Sequence, residues 1–367
     1  MHPDDVIKMQ IKRIEKEIRD TPYHKATEHH IGRLRARLAK LKDKEIESAQ
    51  IAKGKGGGGY SVKKQGDATV ILIGPPSAGK STLLNKITNA KSKIAPYAFT
   101  TVSVIPGMMQ YQDTNIQILD VPGLIEGAEE GKGRGREVLS VARGADLIIL
   151  ITDVARPKWF TRIEKILYKN GVRLNSFPPD VTIEKKLKGG IVVHTNIKQP
   201  FSKEDVKEIA KEFGIANAEI TIREQLTHER LADAFSKNRV YASAIYVVNK
   251  VDDIKQAKRF SVLEHESANT VQISAEKDIN LDTLKAKMWE ALRFVRVYLV
   301  KRDEEPSHNN PIVVKDGTTL AELAETIGTE FAENKKKAKI WGPTAKFPGQ
   351  EVSLQTAVSE GVQVRFV

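Results

Sequence analysis

The stretch Gly74-Pro75-Pro76-Ser77-Ala78-Gly79-Lys80-Ser81 fits the pattern G-x-x-x-x-G-K-[ST] and decides the fold. In this pattern the glycine-rich backbone curls its amides around phosphates, the lysine reaches the β- and γ-phosphates, and the hydroxyl binds Mg²⁺. The β-rich run 69–73 precedes the stretch, and residues 81–87 read as the start of a helix. A strand, a glycine-rich turn and a helix in this order predict an α/β fold, a P-loop domain with a doubly wound, mostly parallel sheet.

Two further motifs follow apolar runs along the chain. Asp120-Val121-Pro122-Gly123 ends the run 116–119, where the carboxylate is expected to hold Mg²⁺ and the glycine amide to approach a γ-phosphate. Asn249-Lys250-Val251-Asp252 follows the run 244–248. The Asp252 carboxylate can accept two hydrogen bonds from guanine N1 and its exocyclic amine, a donor pair that adenine lacks. Ser274-Ala275-Glu276 would place a backbone amide near guanine O6, so the motifs together predict a GTP site.

The segment Phe99-Thr100-Thr101 lies between the first two motifs. A threonine hydroxyl there would complete the Mg²⁺ shell and sense the γ-phosphate. We favour Thr101 slightly over Thr100, although the spacing does not decide between them. Two threonines on a β-edge are the alternative interpretation.

Three sets of residues make up the predicted site. The predicted catalytic residues are Lys80, Thr101 and Gly123. The predicted metal ligands are Ser81, Thr101 and Asp120. The predicted nucleotide-binding residues are Gly74, Pro75, Ser77, Ala78, Gly79, Lys80, Ser81, Thr82, Asn249, Lys250, Asp252, Ser274, Ala275 and Glu276.

Composition limits the classes of function. The 367 residues carry a net charge of +12, which favours an anionic partner, most often nucleic acid, over mere solubility. The chain has no cysteine, so disulfides, thiolate metal sites and cysteine nucleophiles are excluded. No run approaches the roughly 18 apolar residues of a membrane span. The first five residues lack a cationic segment followed by an apolar one, so we expect a cytoplasmic protein with no membrane partner.

Composition shifts divide the chain into regions. Residues 1–52 show apolar spacing typical of a helical hairpin, and 53–60 form a glycine-rich linker. The nucleotide-binding domain is predicted at 61–298, interrupted at 158–240 by a small α+β insert with a hairpin around Gly189-Gly190. Residues 299–367 read as a compact mixed domain.

Two clusters of basic residues admit two interpretations each, an RNA-facing surface or a solvated one. The first cluster, on the second helix of the hairpin, comprises Arg33, Arg35, Arg37, Lys40, Lys42 and Lys44. The second cluster, near Trp341, comprises Lys335, Lys336, Lys337 and Lys339.

Taken together, the motifs resemble the five ordered motifs of the GTPase superfamily. Gly66-Asp67-Ala68, residues 120–128 and residues 131–137 resemble the Obg-related developmentally regulated GTP-binding proteins over nearly the whole chain. The resemblance implies an amino-terminal helical segment, a GTPase domain interrupted by an insert like domain 2 of ribosomal protein S5, and a carboxy-terminal TGS domain of β-grasp fold. It also implies a ribosomal partner.

Two positions depart from better-known GTPases. Leu124 follows Gly123, where Ras-like proteins have a glutamine that orients the attacking water, so we expect slow intrinsic hydrolysis. Arg134 and Arg136 are candidate charge stabilisers, with solvated switch arginines as the stronger alternative. Relatives that K⁺ activates usually have asparagine at the position of Ser77, so potassium dependence stays open.

The leading hypothesis is a slow, Mg²⁺-dependent GTPase switch that acts on ribosomes or RNA in translation, with a regulatory protein as a further partner. The alternative is a non-enzymatic RNA-binding adaptor whose guanine nucleotide is structural. A third reading is an ATP-dependent P-loop enzyme.

Overall fold

The computed structural model describes residues 3–22, 27–52, 66–88, 95–96, 103–124, 135–156, 158–253, 269–301, 303–309 and 311–367. The chain divides into two compact units, one of residues 1–59 and 171–241, the other of residues 60–170 and 242–367. The predicted linker 53–60 lies outside the described residues. Among the described helices, none is long and apolar enough to cross a membrane.

The described elements are as follows in chain order. The helices are α1 (Pro3–Asp20), α2 (Glu28–Ala52), α3 (Lys80–Ile87), α4 (Gly135–Gly144), α5 (Trp159–Lys169), α6 (Lys203–Glu212), α7 (His228–Phe235), α8 (Leu281–Leu292), α9 (Leu320–Ile327) and α10 (Thr329–Glu333). The strands are β1 (Ala68–Ile73), β2 (Ala95–Pro96), β3 (Ser103–Tyr111), β4 (Thr114–Asp120), β5 (Leu147–Asp153), β6 (Val172–Leu174), β7 (Val181–Lys185), β8 (Ile191–Thr195), β9 (Ala218–Ile222), β10 (Val240–Asn249), β11 (Thr270–Gln272), β12 (Phe294–Leu299), β13 (Pro311–Lys315), β14 (Lys337–Trp341), β15 (Gln350–Ser353) and β16 (Gln363–Phe366).

The central sheet has the strand order β11-β10-β5-β1-β4-β3-β2. The first five strands of this order run parallel, whereas β3 is antiparallel to β4 and β2 is antiparallel to β3. Every residue of β1 and β5 is buried, as expected for strands covered on both faces. This arrangement confirms the predicted P-loop fold class. It also brings the carboxyl ends of β1, β4, β5 and β10 to one edge of the sheet, where ligands bind in such folds.

Helices cover both faces of this sheet. On one face, Leu83 of α3 and Leu284 of α8 pack into a buried cluster with Val70 and Leu72 of β1. Burying each such side chain contributes about 1.5–3 kcal/mol to stability. Helices α4 and α5 contact β1 and β5. The apolar runs of the strands therefore hold α3, whose first turn continues the glycine-rich stretch, in a fixed position.

Helix α5 lies in the same unit as the sheet, whereas we assigned residues from 158 onward to the insert. Its Phe160 ring packs edge-on against Tyr246 of β10, with ring centroids 5.3 Å apart. The Tyr246 hydroxyl donates a hydrogen bond of 2.5 Å to Glu164, and burial together with this carboxylate raises the pKa of Tyr246. These contacts make α5 a covering helix of the sheet, and the other unit resumes only at residue 171.

The carboxy-terminal residues form a five-stranded sheet of order β13-β12-β16-β14-β15. Helix α9 begins with a capping box, in which Thr319 and Glu322 each accept a hydrogen bond from the other's backbone amide. Its Leu320 and Leu323 are buried against the sheet with Val297 and Ile340. The predicted compact mixed domain of strand, turn, helix and closing strands is confirmed in this architecture.

The other unit combines the helical hairpin with a three-stranded sheet of order β7-β9-β8. The predicted hairpin around Gly189-Gly190 is wrong, because β9 lies between β7 and β8 and pairs antiparallel with one and parallel with the other. The predicted helix from Ser202 is present as α6, and Ser202 and Asp205 form its capping box. Helix α2 contacts α1, α6 and α7.

The arginines of α2 pair with carboxylates of the insert. Arg35 lies 3.2 Å from Glu229, and Arg33 lies 3.7 Å from Glu208. Such partly exposed pairs contribute about 0–1 kcal/mol each, so they orient α2 more than they stabilise it. These contacts give Arg33 and Arg35 carboxylate partners, and the choice between an RNA-facing and a solvated surface for this cluster stays a prediction.

A buried ionic network also joins α2 to the insert. The Asp43 carboxylate accepts a 2.6 Å hydrogen bond from Ser236 and lies 3.4 Å from Arg239. Arg239 and Arg173 both donate to Asp233, and the side chains of these three residues are at most 11 % exposed. Breaking one partner of such a buried pair costs about 3–5 kcal/mol, so the network fixes the hairpin on the insert.

Candidate nucleotide-binding site

The glycine-rich stretch leaves β1 and enters α3 through backbone that side chains would obstruct. A Cβ on Gly74 would lie 2.3 Å from the carbonyl oxygen of Ile151, and one on Gly79 would lie 2.1 Å from the Asn249 amide nitrogen. Gly79 also has a φ of 91°, in the left-handed region that favours glycine. Both positions therefore require glycine, because residues of β5 and β10 lie too close to the loop backbone to leave room for a Cβ atom.

Lys80 is buried inside this loop. Its ammonium donates hydrogen bonds to the carbonyl oxygens of Gly74 and Pro75, at 2.9 and 3.0 Å. A buried ammonium is stable only with such partners. The loop thus holds a cation at the position where the motif binds the β- and γ-phosphates.

Ser81 and Asp120 meet next to the loop. The Ser81 hydroxyl donates a 2.8 Å hydrogen bond to one carboxylate oxygen of Asp120, and the other oxygen, Oδ1, is buried with no hydrogen-bond partner. The pKa of Asp120 is raised overall, because burial outweighs the lowering effects of the Ser81 hydrogen bond and the Lys80 charge. A hydroxyl, a carboxylate and an unsatisfied carboxylate oxygen are the hard oxygen donors that Mg²⁺ prefers, so these residues fit the metal.

Asn249 connects the three motifs at the end of β10. Its side-chain amide donates to the Ala78 carbonyl at 2.8 Å, and its side-chain oxygen accepts from the Ala275 amide at 2.9 Å. Lys250 donates to the Ser77 carbonyl at 2.7 Å. The loop and the two later motifs are therefore held in one arrangement by side-chain to backbone hydrogen bonds.

A cleft of about 310 Å³ opens beside this junction. Asp252, Ser274, Ala275 and Glu276 line the cleft, and so does Thr82 of α3. A hydrogen bond from Ser274 lowers the pKa of Asp252, so this exposed carboxylate is ionised at neutral pH. An ionised carboxylate is an acceptor alone, which matches the donor edge of guanine.

The described part of the predicted site lies at one edge of the sheet. Gly123 has a φ of 69° just after β4, and the Leu124 side chain that follows is only 3 % exposed. Thr100, Thr101 and Arg134 lie outside the described residues, as does the Arg136 side chain. The choice between the two threonines and the roles of the two arginines stay predictions.

Asp153 and Arg156 belong to this edge but were not among the predicted residues. Arg156 forms a two-pronged ion pair with Asp153, with distances of 2.6 and 3.2 Å, and donates a 2.9 Å hydrogen bond to the Pro76 carbonyl. The pKa of Asp153 is lowered overall. Burial alone would raise it, but the hydrogen bond and charge of Arg156 and the charge of Lys250 outweigh that effect. Asp153 lies opposite Asn249 in the parallel register of β5 and β10. The sequence signal for Asp153 is an acidic residue at the end of the apolar run that forms β5.

Replacing Arg156 with alanine is expected to accelerate dissociation of a guanine nucleotide by about tenfold. The change removes the tether on the Pro76 carbonyl, and one charge-assisted hydrogen bond contributes about 1.5 kcal/mol. Stopped-flow release of a fluorescent GDP measures the rate. Lys165→Ala, an exposed position on α5, is the control and should leave the rate unchanged. Equal rates for both variants would show that Arg156 does not restrain the loop.

Comparison with known proteins gives consistent matches along the chain. Three family models match successive parts: "50S ribosome-binding GTPase" at residues 69–185, "C-terminal region of MMR_HSR1 domain" at 188–294 and "TGS domain" at 295–367. An uncharacterised GTP-binding protein of Methanocaldococcus jannaschii is 45 % identical over 359 residues, which cover 97 % of this chain and 91 % of that one. The human developmentally-regulated GTP-binding protein 2 is 39 % identical over 94 % of each chain. A Dictyostelium discoideum homologue of that protein is 38 % identical over 98 % of each chain.

Proposed function

Because this chain belongs to the family of developmentally regulated GTP-binding proteins, we propose that it hydrolyses GTP slowly and acts as a switch on ribosomes or RNA in translation. Membership of this family makes it a GTP-binding protein of the GTPase class. The slow rate, the Mg²⁺ dependence, the cytoplasmic ribosomal partner and the roles of the individual site residues are the parts that we propose.

The observation that carries the slow rate is the burial of Leu124. An aliphatic side chain cannot orient the attacking water as a glutamine does at this position, and at 3 % exposure this one points into the core. The water must then be positioned by backbone, by another switch residue or by a partner. A GTPase built this way hydrolyses GTP slowly on its own and gains speed from a partner that positions the water.

Ser81 and Asp120 are the described residues that would hold Mg²⁺, with Thr101 as the proposed third ligand. When bound, the ion would supply positive charge that offsets the negative charge developing during phosphoryl transfer. Lys80 would bind the same phosphates, and the Gly123 amide would approach the γ-phosphate with no side chain in the way. The segments that carry Thr101 and Gly123 would lose their contacts to the γ-phosphate and Mg²⁺ after hydrolysis, and would then reorganise.

Two observations support a ribosomal or RNA partner. The chain carries 59 lysines and arginines against 47 acidic residues, which favours contact with phosphates. The family model that matches residues 69–185 describes ribosome-binding GTPases. A switch whose hydrolysis needs a partner and whose surface is basic fits a large RNA-containing assembly.

Single-turnover hydrolysis, measured with and without ribosomes, tests the proposal. We expect slow turnover by the protein alone and faster turnover with ribosomes. Turnover that is zero in both conditions would leave the alternative, an RNA-binding adaptor with a structural nucleotide. Repeating the assay in K⁺ and in Na⁺ tests whether Ser77 supports potassium activation. Competition by ATP for the site would instead favour the ATP-dependent reading.

A further inference from the structure

The three-stranded sheet of the insert has an open side, the β8 edge, which is the side of Ile191–Thr195 that faces away from β9. Strand β8 pairs with β9 on its other side, and among the described strands none pairs with the β8 edge. An unpaired strand edge presents a row of N–H and C=O groups to which another chain can add as a further strand.

The ladder between β8 and β9 determines which backbone groups face outward. The Ala218 amide of β9 donates a 3.0 Å hydrogen bond to the Gly190 carbonyl, and Ile191 is the register partner of Ala218. Alternate residues of a strand bond to the same neighbour, so residues 192 and 194 continue the bonding to β9. The N–H and C=O groups of residues 191, 193 and 195 therefore point outward. Within the described part of the chain, these backbone groups form no hydrogen bond.

The segments before and after β8 leave this edge uncovered. The Gly190 amide donates to the Asn217 side chain at 2.8 Å, and a Cβ on Gly189 or Gly190 would meet nothing within 4 Å. Beyond the strand, the Gln199 side chain donates to the Glu224 carbonyl at 2.9 Å. Both flanking segments are thus tied to residues next to the two ends of β9, and they do not cross the β8 edge.

The opposite edge of this sheet is protected against pairing. Pro178 and Pro179 precede β7, and the Val181 amide already donates to the Pro179 carbonyl at 2.8 Å. Glu184 and Lys185 end the strand and are exposed. Prolines and charged side chains are common means of preventing edge pairing. Strand β8 contains no proline and no Asp, Glu, Lys or Arg, so this protection is confined to one edge.

A cation stands near each end of β8 and indicates the kind of segment that would pair there. Lys188 precedes the strand and Lys198 follows it; both are exposed, and in the part of the chain that the structure describes neither forms an ion pair. A second copy paired antiparallel about Val193 would bring Lys188 of one copy opposite Lys198 of the other, where like charges repel. An RNA strand would contact the lysines but has no peptide groups to pair with the edge. Acidic residues on both sides of an extended peptide would complement both lysines.

We propose that the β8 edge binds an extended segment of another protein, which adds as a fourth strand and carries acidic residues at both ends. The outward N–H and C=O groups of β8 form its backbone hydrogen bonds, and Lys188 and Lys198 contact its acidic ends. Apolar side chains on one face of the segment extend the buried cluster that contains Ile191 and Val193. This surface is independent of the nucleotide site and goes beyond the proposed function.

Fluorescence anisotropy of the full-length, GDP-loaded protein with a labelled nonapeptide, EETVTVTEE, tests the proposal. Val193→Pro should weaken binding at least about tenfold, because it removes the central outward N–H group and places a ring where the peptide must approach. A proline is tolerated on an edge strand where the N–H faces outward, so the ladder to β9 should persist.

Ile183→Pro is the matched control on the opposite edge. The Arg223 amide donates to the Asp180 carbonyl at 3.0 Å, so the antiparallel alternation of β7 turns the Ile183 N–H outward as well. This variant carries the same chemical change in the same sheet but away from the β8 edge. Its affinity for the nonapeptide should equal that of the wild type.

Lys188→Glu and Lys198→Glu test the charged ends without altering a buried side chain. Each should weaken binding of the nonapeptide about threefold, and the effect should fade at high salt. The uncharged peptide QQTVTVTQQ should bind less tightly than the acidic one and should respond to neither substitution. Hydrogen exchange measured by mass spectrometry should show that the acidic peptide slows exchange in the fragment that contains residues 191–195.

Several results would overturn the proposal. Failure of the wild type to bind the nonapeptide is one, and equal affinity of a folded Val193→Pro variant is another. Should Val193→Pro unfold on a thermal melt, unchanged affinity in both lysine variants together with unchanged exchange at 191–195 would refute the proposal instead. Dimerisation of the wild type that Val193→Pro abolishes would favour a second copy, and displacement of the peptide by an oligouridylate would favour RNA. None of these results changes the proposed function, which the hydrolysis assay tests separately.

Discussion

Replacing Lys80 with alanine is expected to weaken GTP binding by at least about a hundredfold and to abolish hydrolysis. The ammonium lies inside the loop at 2.9 and 3.0 Å from two backbone carbonyls, and it is the buried cation that the motif supplies to the β- and γ-phosphates. Two charge-assisted hydrogen bonds to phosphate, at about 1.5–3 kcal/mol each, account for this loss. Titration with a fluorescent GTP analogue and single-turnover hydrolysis measure the two effects.

Lys86→Ala is the matched control for this variant. Lys86 lies on the same short helix α3, but its side chain is exposed and pairs with Asp278 at 2.8 Å. A surface pair of this kind contributes about 0–1 kcal/mol, so nucleotide affinity should be unchanged. Normal hydrolysis by the Lys80 variant, or an equal loss in both variants, would refute the assigned role of Lys80.

The parts of the fold that could be predicted from the sequence are those that contiguous residues determine. The glycine-rich loop is one example, because the left-handed φ of Gly79 is a property of the loop's own backbone. The α6 helix is another, since Ser202 and Asp205 provide the whole of its amino-terminal cap. Such signals need no knowledge of which strand lies beside which.

The features that sequence reasoning missed depend on partners distant in the chain. The strand order of the insert follows from β9 entering between β7 and β8, and no turn residue encodes that choice. Arg156 contacts the Pro76 carbonyl across 80 positions, and Arg35 meets Glu229 after an even longer interval. Both arginines look like surface charges in the sequence, because their partners become visible only once the strands and helices are placed.

Replacing Asp252 with asparagine is expected to shift preference from guanine to xanthine nucleotides by at least about a hundredfold. The ionised carboxylate accepts hydrogen bonds from guanine N1 and the exocyclic amine. In asparagine one of the two oxygens is replaced by an NH₂ group, which cannot accept from a guanine donor. Xanthine carries a carbonyl in place of the amine, and this oxygen can accept from the new amide. Sites built on hydrogen bonds to a ligand reject a mismatched one by about 10⁴-fold, which makes the expected shift a conservative one.

Competition binding with GTP and xanthosine triphosphate measures this shift, and Asp282→Asn provides the matched control. Asp282 undergoes the same chemical change in the first turn of α8, where its side chain is 95 % exposed and lies outside the cleft. The control should keep the wild-type preference. Because the Ser274 hydrogen bond holds Asp252 in the cleft and lowers its pKa, the wild-type preference should also persist at mildly acidic pH. Unchanged GTP affinity in the Asp252 variant would mean that another group reads the base, and the assignment of the Asn249-Lys250-Val251-Asp252 motif would then have to be withdrawn.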